Sequence, residues 1–519
     1  MKSTLTKMKL FTCLLVLSIL LIGCSSTESV KDVNTEKDAQ EDVVQEIVVA
    51  IEADPVGLSP TRISDINSYQ TTNHMYENLF RRDSETGEIV PHLATSYENP
   101  DDNTWIFELR EGVKFHDGTL FNAEAVKYTF EQLVDPDTAA PGAHYLKFME
   151  GIEVVDEYTV KMTTNKPNAD VLPVLALSTL AIISPESDQN QNLMEKPVGT
   201  GPFKFESWTR GDRVVMTKNE NYWGDEPKLD KLTFVTVPNA STALSMLETG
   251  DADVVATVEV ENISRVESMK NAKLFQTEGS GSYFFTFNME KEPMNDFEFR
   301  KAVAMGIDAK SFVNQLGGNG FYSPTLFGPA VTYYDESVLG NEYEYDPEAA
   351  RKIIEEKGYD QYELTLYTTS DRQAYKRMAE VTQAQLSEIG LNTKIEMMEW
   401  GTFLEATGEG KQDLFVINTS NSMTGLETMY GFFHSDGIGG NNRSQYSNPD
   451  FDELVFQARQ TLDEEKRQTL INTAHQQVIK DIFMVPMFHS KNTLGLNKSV
   501  EGVIVLPNGV INLSEAYKQ

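Results

Sequence analysis

The sequence predicts a mixed α/β protein whose chain builds lobes around a cleft. Three observations point there. The chain has 519 residues, well beyond what one hydrophobic core usually organises. Along it, strand-like apolar runs alternate irregularly with helical periodicity. No internal repeat and no long linker divides the folded part, so its lobes must be crossed by the chain several times. Lobes of this kind hinge, and ligands favour the crevice between them.

Lys2, Lys7 and Lys9 precede an apolar run from Leu10 to Ile22, broken only by Thr12, Cys13 and Ser18. That is the pattern of a secretion signal. The run is short for a membrane span, which needs about 20 apolar residues. It ends in Leu21-Ile22-Gly23-Cys24, which resembles a bacterial lipobox. The resemblance implies a lipoprotein signal peptide over 1–23, with Cys24 acylated as the new N-terminus and lipid anchor. Ser25 to Gln45 is too polar to order itself, so 24–46 is expected as acylated Cys plus a disordered tether. Its r.m.s. reach would be roughly 25 Å.

The folded part opens at Glu46–Ile51, an apolar run that predicts a buried strand. Residues 103–109 alternate and predict another. Asn122 to Val134 predicts a helix with Val126, Phe130 and Leu133 on one face. Residues 151–163 hold two strands around an Asp-Glu turn. Strands follow at 203–208, 213–218 and 232–237, then a helix at 241–248 ended by Gly250. Asp346-Pro347 opens a helix that Gly358 closes. A helix over 374–389 stops at Gly390, with a strand at 391–398 behind it. Asp463 to Lys480 is the last long helix, with Leu470, Ile471, Ala474 and Val478 inward, and 482–488 returns as an apolar strand.

Charge and missing motifs exclude several function classes. With 44 basic against 79 acidic residues the formal charge is −35, and the leader removes only lysines. Such a chain repels nucleic acid and anionic headgroups. Cys13 and Cys24 are the only cysteines. Once the leader is gone and Cys24 is acylated, no disulfide, thiolate nucleophile or Cys metal site remains. There is no phosphate-binding Gly-rich loop with Lys, no His-Glu-x-x-His helix and no Gly-x-Ser-x-Gly elbow. The seven histidines are scattered without metal-ligand spacing. The expectation is a binding protein rather than an enzyme, with no cofactor and no metal.

Several segments, read in order, carry a family resemblance. They are Tyr76-Glu77-Asn78-Leu79, the run from Pro91 to Tyr97, the run from Trp105 to Gly118 and the run from Asn122 to Val126. Then come Val198-Gly-Thr-Gly-Pro-Phe203, Asn219-Glu-Asn-Tyr-Trp223, Gly250-Asp-Ala-Asp253, Phe299-Arg300-Lys-Ala302 and the run from Tyr345 to Ala350. From about 47 to 490 the chain resembles the family 5 extracellular solute-binding proteins of ABC importers. The resemblance implies a periplasmic-binding-protein-like α/β fold of class II, a three-domain Venus flytrap with two lobes around a ligand cleft. Lobe I would comprise 47–79, 200–285 and 490–519, an extra domain 80–199, and lobe III 286–489. It implies a monomer that captures a peptide or peptide-like solute and delivers it to permease and ATPase subunits. The lipid anchor would hold it on the outer face of the cell membrane. Nickel or metal-chelate binding, or a surface sensor, stands as the alternative.

By the same resemblance three stretches reach the cleft: Asn73-His74 with Tyr76, Gly279 to Phe287, and Trp400 through Asn442. Tyr283 and Trp400 offer flat faces to a ligand backbone. Peptide-binding relatives pair an Asp with the ligand's α-ammonium. Alignment through Phe432-Phe433 and Gly439-Gly440-Asn441 places Asn421 there, and Asn418 at the preceding Trp. An amide cannot neutralise an ammonium, so either the ligand lacks a free amine or Glu77, Glu427 or Asp436 substitutes. Asn418 also stands where nickel-binding relatives carry a His, and Gly142 and Ala181 near their basic residues. Arg443 is placed to clamp a carboxylate or to form a surface salt bridge.

Overall fold

The computed structural model describes residues 44–84, 86–338, 343–419 and 424–519. Cys24, the leader and most of the tether lie outside these residues. One eleven-stranded sheet runs through the molecule. Towards one end, Glu46–Ile51 pairs in parallel with Lys231–Thr236 and Val254–Val255, and Arg213–Lys218 and Phe203–Thr209 extend it antiparallel. At the other end Glu363–Thr369 lies parallel to Asn392–Met398 and Leu414–Thr419.

Two long strands join these ends. Ala272–Phe287 and Met484–Asn497 pair antiparallel, and their register shifts between Glu278 and Ser282. The first half of the sheet attaches before the shift, through Val254–Val255 on Leu496 and Gly495. The second half attaches after it, through Leu414–Thr419 on residues 282–287. Gly279, Ser280 and Gly281 therefore sit where the long strands pass from one half of the sheet to the other. The fold is that of a two-lobed α/β binding protein.

Apolar patterning explains the layers. Glu46–Ile51 is buried on both faces: Ile47, Val49 and Ile51 enter one core with Phe107, Phe130 and Phe234, while Ala50 enters another with Leu244 and Leu247. In the second half, Phe285 and Phe287 pack with Phe299, Met378 and Leu386. Phe284 turns to the opposite face, against Leu426, Met429 and Ile471. This is the two-residue period of a strand buried on both sides.

A separate four-stranded antiparallel sheet is ordered Ala94–Asp101, Thr104–Leu109, Thr159–Thr164, Met149–Asp156. The helix Ala123–Val134 packs on it with Val126, Phe130 and Leu133 fully buried, and the Asn122 side chain accepts from the Ala125 N–H as its cap. Its core is continuous with that of Glu46–Ile51. The expected helix after Asp346 is also present as Pro347–Lys357, closed by Gly358 at φ 72°.

The family motifs converge on one carboxylate. Glu77 is buried and accepts from Tyr222 OH at 2.7 Å, Trp223 Nε1 at 2.8 Å and Thr200 Oγ1 at 2.7 Å, with His92 Nε2 at 3.0 Å. Burial alone would raise its pKa, but the hydrogen bonds and charge of His92, with Trp223 and Thr200, hold it below 4.5. The Gly-Thr-Gly-Pro segment needs its glycines for close approach. A Cβ on Gly199 would meet Met75 O at 2.1 Å, and one on Gly201 would meet His74 O at 2.7 Å.

Two elements differ from expectation. The apolar run at 482–488 is the start of a longer strand, Met484–Asn497. Its partner Ala272–Phe287 was not legible, because Gly279-Ser-Gly reads as a turn; that turn signal marks the crossing. Among the described residues no helix is long and apolar enough to cross a membrane.

Candidate functional site

A crevice opens where three parts of the chain meet. Its inner chamber, about 190 Å³, is walled by Ser64 and Tyr69, by Tyr145 and Ser178, and by Val331 and Thr424. A wider outer arm of about 820 Å³ continues from it. Arg82, Pro173, Val331 and Pro507 line both spaces. Ser280, at the register shift between the two halves of the sheet, lines the chamber.

Charge is unevenly placed along this crevice. Arg82 is the only Arg, Lys, Asp or Glu among the described residues that line the inner chamber. Its Nη1 donates to Gly87 O at 2.7 Å and its Nη2 to Thr332 Oγ1 at 2.6 Å. Burial lowers its pKa, with Tyr333 the next influence. The outer arm carries Asp83, Glu88, Glu278 and Glu464, opposed by Arg467.

The residues expected to bind ligand are distributed differently. Tyr283, Trp400 and Asn418 do come together, around Tyr375. Tyr283 stacks on Phe488 with ring centroids 4.2 Å apart. The Arg372 guanidinium sits 3.7 Å from the Trp400 ring centroid, and Phe403 stacks on the same indole. Tyr375 OH donates to Asn418 Oδ1, and Asn418 N–H donates to Tyr375 OH at 3.0 Å. Phe488 covers the face of Tyr283, Arg372 and Phe403 that of Trp400, and neither ring is among the residues that line the crevice.

His74 is a core residue. It is fully buried, its Nδ1 lies 3.0 Å from Gln70 O, and its Nε2 accepts from Leu513 N–H at 3.0 Å. Nε2 can accept only if Nδ1 carries the proton. Burial pushes its pKa down to about 4. Neighbouring Asn73 ends the helix Ile66–Thr72 through its backbone. Arg443 Nη1 donates to Leu404 O and, at 3.1 Å, to Thr407 Oγ1. It thereby satisfies groups on the helix Trp400–Gly408.

The acids offered as substitutes for the missing Asp are also engaged. Glu77 is spoken for in the core. Glu427 binds Arg459 at 3.0 Å. Asp436 is exposed and accepts from Tyr430 OH at 3.0 Å. Asn421 lies outside the described residues. Among those residues no group of three or more His, Cys, Asp or Glu is placed to hold a metal ion.

Sequence reasoning missed a buried charged cluster beside the crevice. Asp170 is 1% exposed. Its Oδ1 accepts from Tyr333 OH at 3.3 Å, and its Oδ2 has no hydrogen-bond partner among the described residues. Burial, then the nearby Glu427 carboxylate, push its pKa up to about 7 against the opposing pull of Arg459, Thr424 and Arg467. Ala169 N–H donates to Arg459 O at 2.8 Å, so this cluster joins residues 169–170 to the second half of the chain. Tyr333 holds φ at 70°, unusual for a bulky side chain. Only the pair Arg81-Arg82 in so acidic a chain could have drawn the eye to the crevice.

The model of bacterial extracellular solute-binding proteins, family 5 middle, matches residues 88–441. The chain belongs to that family. Heme-binding protein A of Haemophilus influenzae is 27% identical, over 97% of this chain and 98% of its own. The dipeptide-binding protein of Escherichia coli is 26% identical, over 89% and 92%. The structure of the periplasmic binding protein DppA from Helicobacter pylori in complex with the peptide STSA superposes with a TM-score of 0.74. It is 28% identical and covers 91% of this chain and 98% of that one.

Proposed function

We propose that this protein is the extracytoplasmic receptor of an ABC importer, capturing a peptide or peptide-like solute between its lobes and releasing it to a membrane permease. The observation that carries the reading is the crevice itself. Its chamber and outer arm take their walls from both halves of the chain and from the segment where the two long strands change register. Relatives described as dipeptide-binding and solved with bound peptide support the ligand class.

Ligand contacts made by both walls stabilise the closed arrangement and drive capture. Native mass spectrometry of the purified protein is expected to find a retained peptide-sized molecule. After that molecule is stripped, adding a pool of short peptides should reduce the radius of gyration in small-angle scattering. A radius unchanged by a peptide that calorimetry shows to bind would overturn the mechanism. Binding of hemin in place of peptides would overturn the ligand class.

Cys24 is the proposed anchor. One acyl chain binds a membrane only marginally, while two or more hold firmly. Cys24→Ala is expected to move the protein from the membrane fraction to the soluble one. Retention at the membrane after that change would remove acylation as the tether.

A further inference from the structure

We propose that Arg82 selects the cargo by binding a carboxylate that the ligand presents to the inner chamber, an inference that rests on the peptide reading above. The argument is one of unbalanced charge. Arg82 lies at the junction of chamber and outer arm, lining both. Its guanidinium has five N–H donors, and among the described residues only two bonds use them, to a backbone carbonyl and a hydroxyl. Neither acceptor carries charge. Arg82 is half-buried; a guanidinium partly withdrawn from water without a counter-ion carries a cost, and an incoming carboxylate relieves it through the paired geometry Arg favours.

Thr332 and Gly87 fix the side chain from two directions. Gly87 belongs to the turn after the strand Phe80–Arg82, whereas Thr332 comes from the second half of the chain. Arg82 thus spans the crevice with its fork held, leaving donors for a ligand at little further entropic cost. The outer arm adds direction. Asp83, Glu88, Glu278 and Glu464 line it, opposed by Arg467, so a carboxylate is disfavoured there and favoured in the chamber. No carboxylate side chain among the described residues lines the chamber to compete. A peptide would therefore lie with its C-terminus in the chamber.

The test compares two probe pools on the full-length protein stripped of retained ligand. One is an equimolar pool of di-, tri- and tetrapeptides with free C-termini, and the other is the same pool as C-terminal amides. Native mass spectrometry reads capture by the unchanged protein, by Arg82→Met and by Arg82→Lys, each checked for folding by circular dichroism. The unchanged protein is expected to favour the acids by roughly 30-fold, the scale of a charge-assisted hydrogen-bond pair. Arg82→Met should lose that preference, and Arg82→Lys should keep part of it. Equal capture of acids and amides by the unchanged protein overturns the role of Arg82 and leaves the peptide reading standing. So does an undiminished acid preference in Arg82→Met. Capture of neither pool overturns the peptide reading, and this inference with it. The acid–amide comparison on the unchanged protein decides the matter even if a variant fails to fold.

Discussion

Glu77→Ala is expected to lower the unfolding free energy by roughly 3–5 kcal/mol, the usual cost of removing one partner from a buried, hydrogen-bonded charge cluster. The change strands Tyr222 OH, Trp223 Nε1 and Thr200 Oγ1, each within 2.8 Å of the carboxylate, together with His92. These partners come from three separate stretches of chain. Losing the carboxylate therefore loosens the joint that ties Glu77 and His92 to Thr200 and to Tyr222-Trp223. Glu77→Gln keeps an acceptor and should cost about 1–3 kcal/mol. Guanidinium unfolding of the three proteins measures both values.

The pH dependence follows from the depressed pKa of Glu77. A carboxyl held lower in the folded than in the unfolded state contributes fully above its ordinary 4.5. That contribution is lost as pH falls through the lower folded value. The gap between Glu77→Ala and the parent should thus narrow in acid. A Glu77→Ala protein within 1 kcal/mol of the parent at pH 7 would refute this account of the cluster.

Asp170 should show the opposite dependence. Its folded pKa is raised to about 7 by burial and by Glu427, so folding takes up a proton over the interval above its ordinary 3.8. Stability linked to Asp170 is greatest below 3.8. It falls as pH climbs towards 7 and is flat above that. The groups facing the carboxyl are Glu427, Arg459, Arg467, Tyr333 and Thr424.

Asp170→Asn removes the titration and keeps an acceptor for Tyr333. A tenfold difference in proton affinity is worth about 1.4 kcal/mol. The parent is therefore expected to lose on the order of 2 kcal/mol more than Asp170→Asn between pH 5 and pH 8. Urea unfolding at several pH values compares them. Parallel profiles would show that Asp170 is ionised throughout.

Local signals made much of the fold legible. Asn122, Asp346 and Asp463 announced helix starts, and their side chains accept from backbone N–H groups in the structure. Glu46–Ile51 showed itself by a run too apolar to face water. The strand Ala272–Phe287 did not, because its pairing is long-range and its middle carries turn residues.

The candidate site was less legible for a related reason. Tyr283 and Trp400 were singled out as aromatic, but sequence does not say that an aromatic face is already covered by Phe488 or Arg372. His74 looked like a ligand and is a core residue, because its two partners, Gln70 and Leu513, come from opposite ends of the chain. Arg82 and Asp170 matter through what surrounds them, and no periodicity records that.

The crevice walls belong mostly to segments outside the large sheet: the turn at 86–88, the short helix Pro141–Leu146, the stretch at 330–332 and the turn at 506–508. Of the two long strands, only the stretch around the register shift reaches the lining, through Thr277, Glu278 and Ser280. Upholstery and frame thus meet at one seam, where the Ser280 N–H donates to Pro507 O at 2.9 Å. Changing the lining away from that seam alters what fits inside and leaves the paired backbone as it is, so one skeleton can be refitted for chemically unlike passengers.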